Sequence, residues 1–241
     1  MRKTGHSMIS SILQHIDSQI ESKNLLKSEF YLAWSRGELS IECLKEYAKE
    51  YYQHVKAFPT YISALHSHTE DPKTRKTLLQ NLIEEEAGTP NHPDLWKNFA
   101  LSLGVTEHEL STHNPSAEMA TLIGTFREMC LNNSVAEGIA ALYSYESQIP
   151  EICVSKIDGL KRHYGMKNPK DWEYFTVHIA ADKEHAAQER ELLSQHVNEE
   201  NKNAVHHATN RTLDVLWNFL SSLCDKYSIG SCQLQNQQLT Q

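Results

Sequence analysis

Six side chains of metal-binding type mark this sequence: Glu85, His92, Glu146, His178, Asp182 and His185, on three separate helical segments. The run H-I-A-A-D-K-E-H sets the last three at i, i+4 and i+7. A helix turns about 100° per residue, so they fall within an arc of roughly 60° on one face. Two imidazoles and a carboxylate on one stripe make half of a metal site. Two more carboxylates and another His could make the other half. Carboxylate-rich sites with His ligands in helical bundles suit paired iron or manganese ions better than structural zinc. The pattern reads as that of an oxygen-using metalloenzyme.

Each part also has an ordinary reading. Charge-rich helices produce such triples on solvated faces, but Tyr174, Phe175, Val177, Ile179, Ala181 and Ala186 place apolar surface around the same turns. Glu146 lies in the mostly apolar stretch A-A-L-Y-S-Y-E-S-Q-I-P. A buried carboxylate needs a partner, either a cation or a hydrogen-bonding Tyr or Lys. One of Glu84, Glu85 and Glu86 should point inward, as Leu79, Leu82 and Ile83 orient their helix. His92 follows Glu85 by seven residues, with Pro90 between them. Either the helix kinks or His92 approaches from the following turn. Tyr31, Tyr47, Tyr51, Tyr52, Tyr61, Tyr143, Tyr145 and Tyr174 read as core aromatics, and beside a metal centre also as oxidisable donors. Lys156, taken alone, reads as a surface lysine.

The elements that position these groups are all helical. Apolar spacing predicts a first helix over about 8–21, and a second through Trp34 that ends at Gly37. Ser40 starts a long helix that Pro59 should kink or divide. Asp71-Pro72 opens the helix of Glu85, and Gly88-Thr89-Pro90 distorts or ends it. Pro93 restarts a short helix to about Leu103. Further helices are expected over about 116–132, and from Ser134 through Glu146 with Pro150 as a second kink. Two more follow, from Asn168-Pro169 to about His196 and over roughly 203–227. No Gly-, Pro- or Ser-rich stretch divides the chain of 241 residues. A single domain over 1–228 is expected, followed by a polar tail, 229–241, without fixed structure.

The formal net charge of −8 argues against non-specific nucleic-acid binding. No apolar run reaches the ~18 residues needed to cross a membrane. The N-terminus lacks a signal-peptide core, so a cytoplasmic location is the default expectation. The five cysteines include no C-x-x-C and suggest neither a disulfide framework nor a thiolate zinc site.

The stretches E-E-A-G-T-P-N-H-P-D-L-W, A-A-L-Y-S-Y-E-S-Q-I-P and Y-F-T-V-H-I-A-A-D-K-E-H-A carry a resemblance, supported by A-W-S-R-G-E-L and Y-Y-Q-H-V-K-A-F-P-T-Y. From about Leu13 to Tyr227 the chain resembles the chlamydial proteins that associate with death domains. These sit within the heme-oxygenase-like diiron oxidase superfamily, beside pyrroloquinoline-quinone synthase and thiaminase-type folds. The resemblance implies an all-α heme-oxygenase-like bundle of about seven core helices around a central dimetal site. It implies Glu85, His92, Glu146, His178, Asp182 and His185 as ligands of two iron ions or an iron–manganese pair. Dioxygen would be the co-substrate and an external reductant would supply electrons. It further implies synthesis of para-aminobenzoate for folate, with Tyr31 as ring source, Lys156 as amino donor, and Tyr145 and Tyr174 near the site. Two other readings are an oxidase with an external small-molecule substrate and a death-domain-binding protein. A homodimer is plausible for the fold.

Overall fold

A computed structural model describes residues 2–230, with side chains from Ser7 onward. The tail from residue 231, Cys232 included, lies outside the described residues. Eleven α-helices and two 3-10 turns make up the regular structure, with no strand among the described residues. In chain order they are α1 (Arg2–Ser22), α2 (Glu29–Arg36), α3 (Ile41–His68), α4 (Pro72–Glu86), α5 (His92–Ser102) and α6 (Glu107–Thr112). Then come α7 (Ala117–Leu131), α8 (Val135–Glu146), α9 (Ile149–His163), α10 (Glu173–His196) and α11 (Lys202–Lys226). None is long and apolar enough to cross a membrane.

Most starts are set by short polar side chains that accept a free amide of the first turn. Ser28, Ser40, Asp71, Asn91, Ser116 and Ser134 cap α2, α3, α4, α5, α7 and α8. Each such cap contributes about 1 kcal/mol. Gly37 closes α2 at φ +71, a left-handed conformation that costs glycine little.

Four local features differ from or add to the expected elements. Pro59 does not divide α3, which runs on through it as one helix packed against α4, α5 and α7. The second helix is preceded by a separate 3-10 turn. Asn24 caps a 3-10 turn over Leu25–Lys27, and α2 begins only after Ser28. The short helix α6, capped by a Thr106–Glu109 capping box, was not foreseen. Near Pro150 the chain breaks at Ser147–Gln148 instead of bending. The Gln148 side chain fills the break, accepting from the Leu25 amide at 2.8 Å and donating to the Ser144 carbonyl at 2.7 Å.

α8 is the central helix. Every residue from Gly138 to Glu146 is buried, against α7, α10 and α11. α9 approaches α2 closely at Gly159, where a Cβ would lie 2.6 Å from Trp34 Cδ1. That contact sets α2 directly over the inner face of α9.

Candidate metal centre

α4, α5, α8 and α10 bring all six of the predicted side chains together in the interior, each at most 5 % exposed. Glu85 is the inward member of its acidic run, while Glu84 and Glu86 face solvent. His92 arrives from the following helix, as the first residue of α5. The stripe of α10 is buried at His178, Asp182 and His185.

The donor atoms form two groups, each within 4.8 Å. One is Glu85, His92 and His178, and the other is Glu85, Glu146, Asp182 and His185. Glu85 belongs to both, the arrangement expected of a carboxylate between two ions. The imidazoles are oriented for ligation. His178 Nδ1 lies 2.6 Å from the Tyr174 carbonyl, which takes its proton and leaves Nε2 with a free lone pair. His185 Nε2 lies 2.9 Å from Glu84 Oε2, so its Nδ1 faces the cluster. That Nδ1 sits 3.6 Å from Glu146 Oε1 and from Asp182 Oδ1 and makes no hydrogen bond. His92 Nδ1 is 2.8 Å from Glu85 Oε2, at an angle that is not a hydrogen bond's. Buried ring nitrogens facing carboxylates without hydrogen bonds fit a cation between them.

The electrostatics agree. Burial, aided by the charges of Glu146 and Glu85, pushes the Asp182 carboxyl up to about 8. Burial and the neighbouring His92 hold His178 well below the usual imidazole range. Gathering carboxylates away from water is costly unless a cation neutralises them. The enclosed cavity between Val55, Phe58, Glu85, Tyr145, Glu146, Tyr174, His178 and Asp182 measures about 10 Å³, room for about one water molecule.

Sequence reasoning missed Glu189. It continues the stripe one turn beyond His185, is 3 % exposed, and has no hydrogen-bond partner for either oxygen. Burial and the charge of Glu146 push it well above the usual carboxylate range. Asn81 was missed too. Its amide donates to Glu146 at 3.4 and 3.5 Å. Continuing the i, i+4, i+7 spacing to i+11 would have found Glu189, whereas nothing in the local pattern marks Asn81.

Lys156 contradicts its surface reading. It is 3 % exposed, because α2 and α5 close over α9. Its Nζ lies 5.0–5.8 Å from the ring centroids of Tyr31, Trp34, Tyr47, Tyr51, Trp96 and Phe175. It donates to Tyr47 Oη at 2.6 Å, and Tyr47 Oη is 3.2 Å from Tyr31 Oη. Burial lowers the amine to about 7. The cage and the metal cavity are linked. Tyr51 Oη is 2.8 Å from Tyr145 Oη, and Tyr145 lines the cavity. Tyr174 stacks on His178 at 3.9 Å and meets Trp96 edge-on at 4.8 Å. Tyr31, Lys156, Tyr145 and Tyr174 therefore all lie in one continuous buried assembly with the six polar groups.

Residues 45–217 match the family described as "Iron-containing redox enzyme". A relative from Chlamydia pneumoniae, named 4-aminobenzoate synthase, is 48% identical over 225 residues, covering 93% of this chain and 100% of its own. Another of that name, from Nitrosomonas europaea, is 42% identical, covering 89% and 91%. Among solved structures, a Shewanella denitrificans domain with a heme oxygenase-like fold matches at a TM-score of 0.76 and 16% identity, over 91% of this chain and 93% of its own. A CADD-like protein from Nostoc punctiforme matches at 0.67 and 15%, over 89% and 98%. These two likenesses show a heme-oxygenase-like fold.

Proposed function

The chain belongs to the iron-containing redox enzyme family, and on that premise we propose that it is an oxygen-dependent 4-aminobenzoate synthase that consumes its own side chains. Glu85, His92 and His178 would hold one ion, and Glu146, Asp182 and His185 the other, with Glu85 shared. The bound pair, two irons or iron with manganese, supplies the oxidising power of dioxygen, with electrons from an external reductant.

The chemistry of the product points to tyrosine. 4-Aminobenzoate is a benzene ring with a carboxylate para to an amine. A tyrosine side chain is the same ring with a carbon branch para to oxygen. Converting one into the other breaks the Tyr31 Cα–Cβ bond, oxidises Cβ to a carboxylate with dioxygen as oxidant, expels the ring oxygen as water, and breaks the Nζ–Cε bond of the amine donor with Cε oxidised to an aldehyde.

Lys156 is the nitrogen source in this reading. A protonated amine has no lone pair to attack a ring. Burial among six aromatic rings removes the favourable hydration of the ammonium and lowers its pKa to about 7, so a large fraction is free base near neutral pH. Tyr47 sits between the amine and the Tyr31 hydroxyl and orients both. Tyr145 and Tyr174 stand between the cavity and the cage, where tyrosines serve as oxidisable intermediaries. The small cavity supports an internal substrate over an external one of fatty-acid size.

The observation that carries the proposal is an uncharged-prone amine 5.2 Å from the centroid of the Tyr31 ring, in the same buried assembly as a carboxylate–imidazole cluster. Protein grown on isotope-labelled tyrosine and lysine, then purified and given iron, oxygen and reductant, should release product labelled in ring and nitrogen. Unlabelled product would rule the proposal out. Tyr31→Phe should abolish product while leaving metal content unchanged, and an external-substrate oxidase would keep its activity.

A further inference from the structure

The metal cavity is closed on most sides by large buried side chains, but Asp182 has two faces. It lines the enclosed cavity, and it also lines an open groove of about 370 Å³ between α8, α9 and α10. Tyr143, Ser147, Glu151, Lys183 and Ala187 form the groove with it. Ser147 Oγ is buried there without a hydrogen-bond partner. A second groove, of about 230 Å³, shares Tyr143, Ser147 and Glu151 and extends to Asp17 and Glu21 on α1. The two adjoin at these shared residues, and the first reaches a single carboxylate of the metal cluster, Asp182.

Asp17, Glu21, Glu151 and Asp182 line the two grooves beside Lys183 and Arg190, and Lys27 pairs with Glu21 at 2.7 Å, so Glu151 and Asp182 are the carboxylates left to meet an incoming cation. Arg190 is turned aside into a 2.8 Å pair with Asp17, which Tyr143 also contacts through its hydroxyl at 2.8 Å. A carboxylate at the rim of a concave approach raises the local concentration of divalent cations. Asp182 at its floor is the first inward-facing donor such an ion would meet.

We propose that this groove is the loading portal of the metal centre: divalent cations reach the buried donors by way of Glu151 and Asp182, between α8, α9 and α10. The proposal rests on the reading of the cluster as a metal site.

The test uses the full chain, stripped of metal under anaerobic conditions and mixed with ferrous ion in the presence of a coloured chelator. Ala187→Trp and Glu151→Trp plug the groove from two different helices. Both positions are exposed, so the fold accommodates the larger side chains. Both should slow ferrous uptake by about tenfold, equivalent to ~1.4 kcal/mol of barrier, with the final stoichiometry unchanged. Ala120→Trp, exposed on α7, should leave the rate alone. Glu151→Lys should slow uptake at low ionic strength, and the difference should vanish near 1 M salt, where charges are screened within about 3 Å. Uptake at the unaltered chain's rate in both plugged variants overturns the portal alone. If the unaltered chain takes up no ferrous ion, the metal reading fails and the portal with it.

Discussion

Two buried regions of this bundle meet the same problem in opposite ways. In the carboxylate–imidazole cluster, charged groups are gathered from α4, α5, α8 and α10, and burial, aided by the charges of Glu146 and Glu85, lifts Asp182 to about 8. In the aromatic cage, one amine is surrounded by six rings with no carboxylate beside it, and burial drops it to about 7. The first region concentrates charge and calls for a cation. The second removes charge and yields a free base. A low dielectric makes either solution strong, and their closeness lets one chain hold both a metal-binding set and a nucleophile.

Breaking the first region should have the largest effect. Glu85→Ala removes the carboxylate common to both donor groups, so metal analysis should find both ions lost and product formation abolished. In the unaltered chain, ferrous ion at a hundredfold over its dissociation constant should stabilise the fold by about 2.7 kcal/mol, read as a rise in Tm. Absence of any metal-dependent shift would remove the contrast between the regions.

Next comes the cage. Lys156→Met should abolish product and stabilise the metal-free protein below pH 7. There the native lysine must be buried charged, at a cost on the order of 5 kcal/mol for a pKa brought from 10.5 to about 7. The sign follows from proton counting. Between pH 7 and about 10.4 the unfolded chain holds the proton and the folded chain does not, so native stability rises with pH. The advantage of Lys156→Met should shrink by about 1.4 kcal/mol per pH unit across that window and disappear above it. Urea unfolding at several pH values measures this, and a gap that stays constant with pH would show that the amine is not desolvated.

Glu84→Gln is a subtler probe. It weakens the acceptor that holds His185 in its tautomer, and metal affinity should fall by about 10- to 100-fold. Glu189→Gln should do least. A carboxyl already neutral loses little on becoming an amide, so a stability change under about 1 kcal/mol is expected in thermal melts.

Much of the cluster was legible because helical spacing is a local property. His178, Asp182 and His185 share a face by arithmetic, and the apolar neighbours of Glu146 announced its burial. The choice for His92 between a kinked helix and the next turn needed the course of the chain past Pro90. Lys156 was illegible for a physical reason. Its environment comes from α2, α3, α5, α9 and α10, and no window of one helix reports on five. At Pro59 the local rule left a kink or a division open, and tertiary packing along α3 keeps the helix undivided. The resemblance named Tyr31 and Lys156, and the structure sets the Lys156 Nζ 5.2 Å from the centroid of the Tyr31 ring.

The anchoring of α2 has a consequence for what remains after reaction. Phe30 and Trp34 are fully buried, and the Trp34 indole donates to the Lys156 carbonyl at 3.2 Å, so the helix is held by residues on either side of Tyr31. Deleting a buried aromatic ring costs about 3–5 kcal/mol, against a typical total of about 5–15 kcal/mol. On the proposed reaction, a molecule that had given up its ring would keep the Phe30 and Trp34 anchors of α2 but lose a large share of its stability.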